Sequence, residues 1–275
     1  MKYTSSFIVS ALRETWYSLD GYCSELTPEK WEQASDCPGW SVKDVLAHII
    51  GTERQLLGEP APALAEESLG EHVKNEIGRS NEAWVDSMRA KNGADVLTIF
   101  ESTINARLDV LDAMGEEEFD ADSWLPVGKG SYRDFMAIRV MDCFVHEQDI
   151  RISTGGSFLA HERSGRIALD QLLAGLPYVV GKKVNPPEGT TVRVDVISRS
   201  DTIASVRIRV QDGRAAVVKE TDAIDDAVLR CTFEAYLFAA AGRLVAPGYL
   251  EDGSVTFEGD TQLALQVYEN LGFVI

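Results

Sequence analysis

Residues 139–151 read RVMDCFVHEQDIR and predict one helix that differs from the rest of the chain. Residues four apart lie one above the other on the same face of an α-helix, so Asp142 and His146 can aim a carboxylate oxygen and an imidazole nitrogen at one point. The neighbours of this pair are apolar: Ile138, Met141, Phe144 and Val145. We therefore expect the pair to point into an apolar interior, where burial is costly unless something binds it. The spacing by itself fits a local ion pair as well as half of a metal site.

The composition is that of an ordinary globular protein with a large excess of acidic residues. The chain has 275 residues, of which 44 are Asp or Glu and 26 are Lys or Arg, for a net charge of −18. The length predicts two domains, which we place at 1–157 and 158–275. The negative charge repels nucleic acid and anionic lipid, so we expect neither nucleic acid nor membrane as a partner.

Cysteine usage and the N-terminus indicate the compartment. The four cysteines are scattered, without a Cys-x-x-Cys motif, which is typical of reduced thiols. The first residues lack the charged, apolar and small-residue zones of an export signal, and no run of eighteen apolar residues predicts a membrane span. We therefore expect a cytoplasmic protein.

Apolar residues at helical spacing predict four long helices before residue 157, arranged as an antiparallel four-helix bundle. Ser41 with Asp44, and Ser131 with Asp134, have the spacing of capping boxes, and Ser80 is a candidate cap for another helix. We expect loops at 58–70 and at the acidic stretch 116–122. After Gly156, alternation with period two at 192–196 and 206–210 predicts strands, followed by helices near 233–242 and 261–271. This second part is expected to be a smaller α+β domain.

His48 is the candidate for a third metal ligand. It lies on or beside the buried stripe of the second long helix, and facing helices of a bundle are where metal sites are built. Two imidazoles and one carboxylate, with a fourth position open, are the ligands of a catalytic zinc site. Nothing in the local spacing requires His48 to face Asp142 and His146.

Two fragments together resemble the mycothiol-dependent maleylpyruvate isomerase family. They are residues 37–48, CPGWSVKDVLAH, and residues 142–151, DCFVHEQDIR. The resemblance covers nearly the whole chain. It implies an N-terminal DinB-like metal-binding four-helix bundle followed by a smaller sterol carrier protein-like α+β domain. It also implies Zn2+ or another divalent metal, and mycothiol as thiol cosubstrate.

The resemblance assigns roles residue by residue. The metal ligands become His48, Asp142 and His146, and the residues that contact the thiol cofactor become Gln148, Asp149 and Arg151. The family has glutamate where this chain has Asp142, which is one methylene shorter, so the metal would lie closer to this helix or be held through one oxygen only. Asp149 could also orient His146 or pair with Arg151. No catalytic residue is assigned.

Several functions fit these residues. The leading one is a metalloenzyme in which a zinc-bound thiolate attacks a small electrophile, as a thiol S-transferase or a maleylpyruvate-type cis-trans isomerase. The alternatives are a non-catalytic metal- or lipid-binding protein and a hydrolase that uses zinc-bound water. An isomerase acting on a dicarboxylate should have at least two arginines near the metal. The candidates are Arg54, Arg79, Arg89, Arg230 and Arg243.

Four further side chains carry simpler expectations. We expect Glu147 to lie on a solvated helix face and Cys143 to belong to the core. His72 and His161 occur in loop-like contexts, so we expect them to be exposed.

Overall fold

The computed structural model describes residues 3–65, 69–126, 128–219, 225–243 and 246–273. The chain divides into two compact units, Met1–Ala168 and Leu169–Ile275. The domain limits expected from the sequence, 1–157 and 158–275, stay a prediction. Among the described helices, none combines the length and the apolarity needed to cross a bilayer.

The first unit is mostly helical. Its helices and its two short strands follow one another along the chain in this order: α1 Ser5–Cys23, α2 Pro28–Trp31, α3 Val42–Leu56, α4 Glu76–Met88, α5 Gly93–Ala113, α6 Glu116–Phe119, β1 Asp122–Leu125, β2 Gly128–Ser131 and α7 Tyr132–Ser153. Helix α8, Arg163–Leu173, contains the boundary between the units.

The four long helices close into a ring. Helix α1 contacts α5 and α7, and helix α3 contacts the same two neighbours. Fully buried side chains such as Trp16, Leu46, Phe100 and Val140 fill the interior between them. The predicted four-helix bundle is thus confirmed, and burial of these apolar stripes supplies most of its stability.

Side-chain caps fix where the helices of the bundle begin. The capping boxes predicted at Ser41 and Ser131 are both present, at the starts of α3 and α7. The cap predicted at Ser80 is wrong, because α4 begins a turn earlier, where the extended Asn75 accepts a hydrogen bond from the Gly78 amide. Ser80 lies inside the helix, and its hydroxyl accepts a bond from Gln55.

The acidic stretch 116–122 is not a plain loop. Glu116–Phe119 forms the short helix α6, and Asp122 begins a two-stranded hairpin of β1 and β2 that leads into α7. The buried Phe119 gives α6 its reason to form, since its ring packs edge-on against Tyr132 with centroids 5.6 Å apart.

Gly51 allows α3 and α4 to approach closely. A Cβ atom at this position would lie 2.4 Å from both Cβ and Cγ of Trp84, atoms that cannot move without shifting α4. We expect Gly51→Ala to lower the free energy of unfolding by about 1–3 kcal/mol, measured by urea denaturation. Gly21→Ala is the matched control, because Gly21 is also helical and a Cβ there would meet nothing within 4 Å. The close-approach explanation fails if the two variants are equally stable.

The second unit is the predicted α+β domain. Its strands, in chain order, are β3 Thr191–Ser198, β4 Asp201–Gln211, β5 Arg214–Val218, β6 Ala227–Thr232 and β7 Val255–Gly259. They form one sheet in the order β5-β4-β3-β6-β7, in which β3 and β6 are parallel and the other pairs are antiparallel.

Helical segments complete the second unit. They are α9 Leu176–Tyr178, a π-helical turn Val179–Val184, α10 Phe233–Ala240, a 3-10 helix Ala246–Leu250 and α11 Thr261–Glu269. The predicted strands, and the helices after residue 232, are present. Strand β6 was missed because four of its first five residues are buried, so its side chains do not alternate between apolar and polar.

Candidate functional site

The structure brings His48, Asp142 and His146 together. His48 is on α3, and the other two are one turn apart on α7. The Nε2 atom of His48 lies 3.4 Å from Oδ2 of Asp142, and Nε2 of His146 lies 3.6 Å from Oδ1 of the same carboxylate. Both imidazoles are buried, whereas the Asp142 side chain is 25% exposed. Three donors from two helices therefore converge on one point, and the carboxylate is the most exposed of the three.

The spacing of these donors fits a bound cation. Both separations exceed the roughly 2.7–3.2 Å of a good N–H···O hydrogen bond. Ligands held about 2.0–2.1 Å from a tetrahedral zinc lie about 3.3 Å apart, close to the observed values. All three donor atoms lie within 4.8 Å of one another. Two imidazole nitrogens and a carboxylate oxygen are also the donor types that zinc prefers at open sites.

Asp149 fixes the orientation of His146. Its Oδ2 atom accepts a 2.9 Å hydrogen bond from Nδ1 of His146 and a 3.2 Å bond from the thiol of Cys37. A carboxylate at Nδ1 keeps the proton on that nitrogen and leaves Nε2 free to bind a cation. The sequence predicts that Asp149 either orients His146 or pairs with Arg151, and the hydrogen bond to His146 supports the first role. The sequence did not predict the hydrogen bond from Cys37 to Asp149, although Cys37 belongs to the CPGW fragment that carries the family resemblance.

The charge state of the site follows from burial and from its neighbours. Burial lowers the pKa of His48 despite the nearby Asp142 carboxylate. Burial alone would raise the pKa of Asp142, but Arg139 and the two histidines hold it well below its usual range. Burial also disfavours charge on His146, yet the carboxylates of Asp142 and Asp149 raise its pKa well above the ordinary value. Asp142 is therefore an anion at neutral pH, as a metal ligand must be.

A chain of hydrogen bonds connects Asp142 to the buried residues Arg139, Glu53 and Arg107. Arg139 donates to Asp142 Oδ2 through Nη1 at 2.5 Å, and to Oε1 of Glu53 through Nε and Nη2 at 3.0 and 2.9 Å. Arg107 donates to the other oxygen of Glu53 at 2.9 Å and to the Tyr132 hydroxyl at 2.9 Å. Glu53 and Arg107 are each 1% exposed. We call Glu53, Arg107 and Arg139 the buried charge network, and no sequence pattern had indicated it.

Trp40 forms a wall beside the histidines. Its ring centroid lies 5.2 Å from that of His48 and 6.5 Å from that of His146. Its indole N–H donates to the buried carboxylate of Glu82 at 2.9 Å, and His72 and Arg89 also bond to that carboxylate. The expectation that His72 is exposed is thus wrong, since 20% of its side chain is accessible. Arg89 is paired with Glu82, and its role as a substrate contact has no support here.

Glu147 and His161, which were expected to face solvent, are buried or mostly buried. Glu147 is fully buried, and it accepts bonds from Ser18, Arg151 and His161, so the expected solvated face is wrong. The face is covered by the segment that carries His161, which is itself mostly buried rather than exposed. Cys143 lies in the core, as expected.

The three residues assigned to the thiol cofactor are spread around α7. Gln148 is buried and accepts a hydrogen bond from the Leu159 amide, while Arg151 bonds to Glu147 and Ser18 and lies over the Tyr22 ring. In the part of the chain that the structure describes, only Asp149 of the three contacts a predicted metal ligand. The assignment of Gln148, Asp149 and Arg151 to the cofactor stays a prediction.

Comparisons with known proteins give this arrangement a context. A family model described as the mycothiol maleylpyruvate isomerase N-terminal domain matches residues 12–151. No curated protein matches the sequence. A crystal structure of the mycothiol-dependent maleylpyruvate isomerase is similar at 16% identity over 93% of each chain, with a TM-score of 0.60. A mutant of that enzyme is similar at 14% identity over the same shares, with a TM-score of 0.59.

The second unit has a weaker similarity of its own. The sterol carrier protein 2 like 2 of Aedes aegypti is 17% identical, over 38% of this chain and 96% of that chain, with a TM-score of 0.30. At identities of 14–17%, these similarities give information about the fold and not about the function. The two isomerase structures match 93% of this chain, and this match confirms the predicted layout of a helical bundle followed by an α+β domain.

Proposed function

The chain belongs to the mycothiol maleylpyruvate isomerase family, a family of enzymes, and from that premise we propose that its thiol substrate is activated at a divalent metal held by His48, Asp142 and His146. The observation that carries this proposal is the convergence of two imidazole nitrogens and one carboxylate oxygen within 4.8 Å of one another. When bound, a divalent ion such as zinc supplies the charge that lowers the pKa of a thiol at its open position, so that the thiolate is present at neutral pH.

The surrounding residues have separate tasks in this proposal. Asp149 holds Nδ1 of His146, which leaves Nε2 as the ligand. The apolar ring of Trp40 limits the access of water on the side of the histidines. Gln148 and Arg151 are retained as proposed contacts of mycothiol on the strength of the family resemblance. Burial of the two histidines favours an uncharged or anionic sulfur over a hydrated cation as the incoming group.

The reaction that follows is attack of the sulfur on an electrophilic carbon. In an S-transferase, the new C–S bond remains in the product, and either a leaving group departs with its bonding electron pair or, on addition to a double bond, the other carbon takes up the proton that the thiol lost. In a cis-trans isomerase, the sulfur adds to a double bond, the resulting single bond rotates, and the sulfur leaves again. A dicarboxylate such as maleylpyruvate calls for arginines that are available to it. Arg139, which contacts Asp142, is committed to two carboxylates of the protein, and this favours the S-transferase.

The test is turnover of a panel of electrophiles with mycothiol and with other small thiols. Each assay is run on protein as purified, after treatment with a chelator, and after zinc is restored. We expect turnover that needs mycothiol, is lost with the chelator and returns with zinc. Equal turnover with any thiol would contradict the assignment to mycothiol, and turnover without thiol would favour hydrolysis by metal-bound water. Protein that binds no metal and turns over nothing would favour a binding protein.

Asp149→Asn tests the support of His146. The amide keeps the size of the side chain but loses the charge that fixes the imidazole, so we expect the zinc Kd to rise by about 10- to 100-fold. Competition against a chromophoric chelator measures this change. Asp112→Asn is the control, because Asp112 is an exposed carboxylate that pairs with Arg13 rather than with His146. An Asp149→Asn protein that binds zinc as tightly as the control would rule out this role.

A further inference from the structure

We propose that Arg139 is a positioning residue that holds Oδ2 of Asp142 and thereby fixes the orientation in which this carboxylate faces His48 and His146. The inference rests on the metal site proposed above. Arg139 Nη1 lies 2.5 Å from Oδ2 of Asp142, the oxygen that also lies 3.4 Å from Nε2 of His48, while Oδ1 lies 3.6 Å from Nε2 of His146. Each oxygen therefore faces one histidine. The bond from the guanidinium holds the carboxylate in this orientation.

The buried charge network keeps Arg139 from following the carboxylate. Two nitrogens of its guanidinium bind one oxygen of Glu53, and Arg107 binds the other oxygen, so Glu53 is held from two sides in the interior. A planar guanidinium presents its donors in a fixed fork, which a lysine ammonium cannot reproduce. The orientation of Asp142 is therefore set by an anchor that a bound cation does not displace.

The position of Glu53 links this anchor to the geometry of the whole site. Glu53 lies on α3, little more than one turn after His48, and Arg139 lies on α7, less than one turn before Asp142. The Glu53–Arg139 contact thus joins the same two helices that carry the metal ligands. It fixes their spacing directly beside the point where the donors of His48 and His146 meet.

Coulomb repulsion alone predicts that Arg139 weakens metal binding, whereas the positioning role predicts that Arg139 strengthens it. A guanidinium that binds a ligand of the cation lies within a few ångströms of the cation, and two positive charges repel each other. If charge were all that mattered, removal of Arg139 would tighten metal binding. If Arg139 orients Asp142, its removal weakens metal binding. The sign of the change in affinity therefore separates the two accounts.

The experiment compares Arg139→Met and Arg139→Lys with wild-type protein, after removal of metal. Zinc Kd is measured by competition, and Co2+ is bound to record the visible d–d bands, which are strong for four-coordinate ions and weak for higher coordination. We expect both variants to raise the zinc Kd by about 10- to 100-fold. We also expect Co2+ bands that differ from those of wild-type protein, because Asp142 no longer keeps the orientation that Arg139 gives it.

Arg133→Met is the matched control. Arg133 is a buried arginine on the same helix, and it pairs with Asp120 and Glu116 rather than with a metal ligand. We expect its zinc Kd and Co2+ bands to match wild type. Circular dichroism of the metal-free proteins establishes that each is folded. Should Arg139→Met not fold, Arg139→Lys, which keeps the charge, carries the test.

The outcomes distinguish this inference from the proposed function. Wild-type protein that binds zinc tightly, with Arg139 variants that bind it equally or more tightly or keep the wild-type Co2+ bands, overturns the role of Arg139 and leaves the metal site standing. Wild-type protein that binds no zinc overturns both.

Discussion

His48→Ala protein is expected to contain no stoichiometric metal and to lose thiol-dependent turnover. The substitution leaves one imidazole and one carboxylate, and two donors on a single helix cannot surround a cation. Since loss of a supporting residue alone costs about 10- to 100-fold in affinity, loss of a ligand should raise the zinc Kd by more than about 100-fold. Metal analysis of the purified protein and a zinc titration of the metal-free protein give the two measurements.

His161→Ala is the control for His48→Ala. His161 is also a mostly buried histidine of the first unit, but it bonds to Glu147, which keeps Ser18 and Arg151 as partners. We expect this variant to keep its metal. If His48→Ala binds zinc like wild type, the three converging donors are not the metal site. A lipid-binding protein would be indicated if His48→Ala lost its metal but bound lipid with the affinity of the wild-type protein.

Glu53→Ala is expected to cause the largest loss of stability among the variants considered. Without Glu53, among the residues that the structure describes, the guanidinium of Arg107 keeps Tyr132 as its oxygen partner and that of Arg139 keeps Asp142. Breaking a buried ion pair by removing one partner typically costs about 3–5 kcal/mol, because a buried charge is left uncompensated. Urea unfolding of the metal-free protein, followed by circular dichroism, measures the loss.

Glu116→Ala is the comparison for Glu53→Ala. Glu116 also binds an arginine, Arg133, but its own side chain is 57% exposed and Arg133 keeps Asp120 as a partner, so we expect a loss of about 0–1 kcal/mol. We expect this variant to stay close to wild type. Equal losses for Glu53→Ala and Glu116→Ala would mean that water reaches Glu53 and that the network is not a buried anchor.

The candidate site was partly predictable because two of its residues lie on one helix face. Asp142 and His146 are four apart, and His48 follows the buried position Val45 by three, so helical periodicity places each donor on an inward face. That the two faces oppose each other depends on how α3 and α7 pack, and no local pattern contains this. The resemblance of the two fragments to a known family supplied the missing link.

The supporting residues could not be predicted for a different reason. Glu53, Arg107 and Glu147 are charged, and charged side chains are almost always exposed unless they are paired. Glu53 and Arg107 pair with residues of other helices. Glu147 pairs with Arg151 on its own helix, but also with Ser18 on α1 and with His161, whose segment has no periodic pattern. Periodicity records which face of a helix is apolar. It does not record that two inward charges of opposite sign meet across the bundle.

The pairing of α1 with α7 has a consequence for synthesis on the ribosome. Helix α1 emerges first, yet its partner α7 is the last long helix of the bundle. The nascent chain therefore carries the apolar stripe of α1, and Glu53 without Arg139, while α4 and α5 are still being made. Such exposed surfaces are the ones that chaperones recognise during translation. The donors proposed to hold a metal cannot meet until translation has passed His146, so the last long helix of the bundle completes the proposed site.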